Sequence, residues 1–72
     1  MYEIIICIAM ANCGWTVIVA ENPISCNRVP VDGCTYYDAK IIYLKEWNLC
    51  VLYHEINEHA LKRNNTIHHG IC

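Results

Sequence analysis

The first third of the chain is almost unbroken apolar sequence, and residues 4–20 hold no charged side chain. Such a run sits at the lower limit of what can cross a membrane. Asn12, Gly14 and Thr16 interrupt it, however, and Glu3 stands where a secretory leader carries Lys or Arg. It therefore reads as two buried elements in succession, with no membrane segment. Residues 2–11 predict a short helix, apolar almost all round and ended by Asn12 and Gly14, where a left-handed residue costs little. The Ile4-Ile5-Ile6 triplet suits a strand equally well. Residues 15–21 (WTVIVAE) are β-branched, bounded by Gly14 and Asn22-Pro23, and predict a strand.

Both prolines and an Asp32-Gly33 pair mark residues 22–33 as a loop with at most a brief extended piece. A hairpin signal follows: residues 34–37 (CTYY), an Asp38-Ala39 turn, then residues 40–46 (KIIYLKE), in which apolar positions alternate. Asn48 is placed to cap a helix over residues 49–63, with Lys62 and Arg63 in its last turn, where the helix dipole favours cations. The pattern defines one small α+β domain over residues 1–72. A small antiparallel sheet is flanked by an N-terminal helix and a second helix that carries the polar residues of interest.

Composition narrows the function. Of the 72 residues 56% are hydrophobic and 17% charged, enough apolar surface to offset chain entropy and exclude disorder. The formal charge of −2 comes with no basic block, so there is no footprint for nucleic acid. A chain this short and apolar is hard put to bury all its apolar surface, and a homodimer is expected. Six cysteines form no CxxC pair, and Cys7 and Cys50 lie inside apolar runs. They read as mostly reduced thiols in a cytoplasmic protein, with disulfides as the alternative.

The chemistry is concentrated in His54-Glu55-Ile56-Asn57-Glu58-His59. At about 100° per residue, His54 and Glu58 stand one turn apart on one α-helical face, the spacing with which two helix side chains grip one metal ion. Glu55 is next round the helix, placed to act as general base on a metal-bound water. His59, five residues from His54, falls about 140° away and is assigned instead to an i, i+4 pair with Glu55. A third ligand is needed. His68 and His69 supply it after the turn at Asn64-Asn65-Thr66. On the same wheel Leu49, Leu52, Tyr53, Ile56 and Ala60 form an apolar arc opposite His54, Glu55, Glu58, His59 and Lys62, which is also how an ordinary solvated helix face looks. Trp15 and Trp47 read as packing residues.

The order of parts, with GCTYYDA, an I-I-Y-L strand and a helix reading VLYHEINEHAL, resembles the core of the zincin metallopeptidases. It is especially similar to very small, often phage- or prokaryote-encoded members with HExxH or HExxE on the active-site helix. The likeness covers roughly residues 14–71. It implies zinc held by His54, Glu58 and His68, Glu55 as general base, and hydrolysis of a peptide or protein substrate laid along the KIIYLKE strand as an edge. The alternative is a protein-binding module of the same fold, without turnover, that acts through the exposed edge of the hairpin.

Overall fold

The computed structural model describes residues 1–62, so Arg63, His68 and His69 and the expectations placed on them lie outside the described residues. Strand β1 (Tyr2–Ile6) runs antiparallel to β2 (Trp15–Val19), with Ile4 opposite Val17. Strands β3 (Ile24–Cys26) and β4 (Val29–Val31) make a separate two-stranded hairpin. Strand β5 (Gly33–Tyr36) then turns back on β6 (Ile41–Leu44), and β6 inserts parallel to β2. The main sheet is therefore mixed, in the order β1-β2-β6-β5. Helix α1 (Leu49–His54) continues directly into α2 (Glu55–Ala60), a π-helical segment. The protein is a small α+β fold with its helix at the C-terminal end of the described chain.

Four expectations of the fold need correction. Residues 22–33 are more than a loop, since Ile24–Cys26 and Val29–Val31 pair as the β3–β4 hairpin about a tight turn at Asn27-Arg28. No helix forms at the N-terminus: residues 2–6 are a strand, because their apolar residues find a partner in the equally apolar β2, and an all-apolar run has no period by which to tell helix from strand. The sheet is not purely antiparallel, since the β2–β6 pair is parallel. The KIIYLKE segment is also not an edge. Strand β6 lies between β2 and β5, so its backbone is already paired on both sides and the edges are β1 and β5.

The cysteines are oxidised, contrary to the expected thiols. Cys7–Cys13 closes the neck of the loop between β1 and β2, and Cys26–Cys34 ties the β3–β4 hairpin to β5. Cys50 is disulfide-bonded as well, and none of the described cysteines is free. The partners are only six and eight residues apart, but they become adjacent only once the chain turns back on itself, and no short CxxC spacing marks them. A chain too short for a large core gains most from such staples.

The core lies between the inner face of the sheet and the helix. Val17, Val19, Ile42 and Leu44 are fully buried, joined by Trp15, Val51, Leu52 and Ala60. Burial of each large aliphatic contributes roughly 1.5–3 kcal/mol. Alternation sends Ile42 and Leu44 inward and Ile41 and Tyr43 outward, where Tyr43 meets Tyr36 edge to face. Trp15 packs inside with its Nε1 donating to Asn12 Oδ1 at 2.9 Å, whereas Trp47 is half exposed. The two-residue turn between β3 and β4 has positive φ at both Asn27 and Arg28, the geometry that matches the twist of a tight hairpin. No helix among the described residues is long and apolar enough to cross a membrane.

Candidate metal centre

Asn48 begins the helix as its sequence suggests: its side-chain oxygen accepts from the backbone N–H groups of Cys50 and Val51. The face that the helix then turns to the sheet differs from the expected apolar arc. Leu49 and Tyr53 are exposed, while Val51, Leu52, Glu55, His59 and Ala60 are buried. Glu55 is only 2% exposed and His59 4%. A carboxylate and an imidazole thus face inward, where each requires a partner.

The partners come from β5 and from the helix itself. Thr35 Oγ1 donates to Glu55 Oε1 at 2.8 Å. Glu55 Oε2 lies 3.9 Å from His59 Nε2, the i, i+4 pairing read from the sequence. His59 Nε2 is in turn 3.3 Å from His54 Nε2, with the two rings edge to face. One ligand atom from each of His54, Glu55 and His59 falls within 4.8 Å of the others. His54 is half-buried, the least enclosed of the three.

The backbone explains why His59 joins His54. From Glu55 to Ala60 the chain is π-helical, and Leu61 N–H bonds Ile56 C=O at 2.9 Å, five residues back. On such a ladder residues five apart stand one above the other. The α-helical period that set His59 about 140° from His54 does not apply here. Glu58 accepts from Lys62 Nζ at 3.0 Å on the outer face, and the His54–Glu55–His59 set does not include it. Of the four residues assigned a role, the structure brings His54 and Glu55 together, places Glu58 elsewhere, and leaves His68 outside the described residues. His59 and Thr35 were the residues missed. A π segment is an α-helix with one residue inserted, so HEINEH equals HExxH with one extra residue, which is the signal that a strict motif spacing overlooks.

Two nitrogens and one oxygen form a donor set suited to zinc and to other first-row ions. The three ligand atoms, all within 4.8 Å of one another, have to draw together to share one ion. Ligands at about 2.0–2.1 Å from a tetrahedral ion are about 3.3–3.4 Å apart. The two Nε2 atoms match this, and the 3.9 Å from Glu55 to His59 needs only a small closure. No protein-family profile, curated protein or solved structure matches the chain.

Proposed function

We propose that this protein is a disulfide-stapled metal-binding domain in which His54, Glu55 and His59 hold one divalent transition-metal ion, with zinc as the first choice. The observation that carries the reading is the convergence of His54, Glu55 and His59, one ligand atom from each within 4.8 Å of the others, with the hydrogen-bonded Nε2 pair at 3.3 Å, a spacing that two ligands of one ion also adopt. The π-helical turn supports it as well, since such turns are rare and concentrate at functional sites. A bound ion would supply Lewis acidity there, with His54, Glu55 and His59 as the residues that hold it.

The metallopeptidase reading shares His54 and Glu55 but asks more of them. A general base must be free to take a proton from water, and Glu55 is nearly inaccessible, with one oxygen already bonded to Thr35. The reading of Glu55 as a ligand suits those contacts better, so the proposal is metal binding without peptide hydrolysis. Disulfides persist in oxidising surroundings. On that ground we place the protein outside the cytoplasm, in place of the cytoplasmic setting that reduced thiols would suit.

Calorimetric titration with zinc tests the proposal. One ion per chain in the native protein, with uptake abolished in His59→Ala, is the expected result. Equal uptake by both proteins would contradict it. Cleavage of a denatured protein substrate by the zinc-loaded form, lost in Glu55→Gln, would move the assignment to a peptidase.

A further inference from the structure

The edge strand β5 makes two contacts with Glu55 that a simple helix-on-sheet packing does not require. Thr35 is buried and its hydroxyl bonds Oε1, so the carboxylate cannot rotate freely and Oε2 stays turned to His59. Gly33, two residues earlier on the same face of the strand, has its backbone pressed against the stem of Glu55. A Cβ at that position would lie 2.8 Å from Val51 Cγ1, closer than packed carbons tolerate, and 3.0 Å from Glu55 Cγ, so that the Glu55 stem would have to shift by a few tenths of an ångström. The glycine does not serve a turn here. It leaves the room in which the side chain lies.

We propose that β5 is the orienting layer of the metal centre, with Thr35 and Gly33 as positioning residues that make Glu55 a ligand. The inference rests on the metal-binding reading and extends it from the helix to the strand. Groups that bond a ligating carboxylate commonly set its direction and basicity, and their loss lowers metal affinity about 10- to 100-fold. Strand β5 is itself held on its outer side by Cys26–Cys34, one residue from Thr35. The hydroxyl therefore has little freedom to move away from Glu55.

The test uses cobalt(II) as the probe, because its visible absorption reports ligand number and geometry. Thr35→Val keeps the shape and removes the donor; Thr35→Ser keeps the donor. The expected result is a 10- to 100-fold weaker cobalt affinity and shifted absorption bands in Thr35→Val, with both restored in Thr35→Ser. Gly33→Ala should shift the bands in the same sense. Unchanged affinity and bands in a folded Thr35→Val would overturn the inference while leaving the metal site intact. Should Thr35→Val fail to fold, Thr35→Ala provides the same comparison. Absence of cobalt uptake by the native protein would remove the metal reading and this one with it.

Discussion

His54 and His59 are five residues apart and yet their Nε2 atoms stand 3.3 Å from each other, because the helix between them is wound with one extra residue in its turn. In an α-helix the two rings would point about 140° apart. The pairing is therefore a property of the backbone as much as of the residues. It turns a polar stretch into a group with inward-facing donors.

The outer residue of the motif should be dispensable. Glu58 bonds Lys62 on the outer face, apart from the His54–Glu55–His59 set. Glu58→Gln is expected to keep metal stoichiometry, and weakening the exposed pair with Lys62 costs about 0.3–0.5 kcal/mol of stability. Metal titration and urea unfolding of the variant check this. Loss of the ion in Glu58→Gln would restore Glu58 as a ligand.

Deleting Asn57, which is exposed, should convert the π segment to an ordinary α-helix and leave His54 and the second histidine four apart, again on one face. Residues after the deletion keep their register, so Ala60 remains in the core. The shortened protein is expected to bind cobalt within about tenfold of the native affinity, a difference under about 1.4 kcal/mol. A folded deletion variant with no cobalt uptake would show that the π turn does more than absorb one residue.

The β3–β4 hairpin depends on its staple. Cys26 and Cys34 are eight apart in sequence, and closing so small a loop in the unfolded chain contributes about 2.5 kcal/mol by chain entropy. Replacing both with Ser should lower stability by about that amount, read from the midpoint of denaturant unfolding. An unchanged midpoint would mean that hairpin packing alone fixes β5.

Much of the fold was legible where local signals were strong. The β-branched run over Trp15–Val19, the Cys34–Leu44 hairpin with its turn near Asp38, and the Asn48 cap all follow from short-range preferences. The N-terminal strand was not legible, because Ile4, Ile5 and Ile6 satisfy either period and only pairing with β2 decides between them. The disulfides depend on which loops meet in space. The candidate group was legible only in part: His54 and Glu55 were singled out, Glu55 as a base, but His59 was set aside on an α-helical period that the inserted residue cancels, and Thr35 becomes a partner only once β5 lies against the helix. The burial of Glu55 and His59 reverses the polar and apolar faces that a helical wheel assigns.

The most direct test of a metal centre on His54, Glu55 and His59 is the elemental analysis of the native protein after equilibrium dialysis against zinc, beside His54→Ala and His59→Ala. About one zinc per chain in the native protein, and none retained by either folded variant, is the predicted result. A native protein that keeps no zinc, or a His59→Ala variant that keeps a full equivalent, would contradict the account.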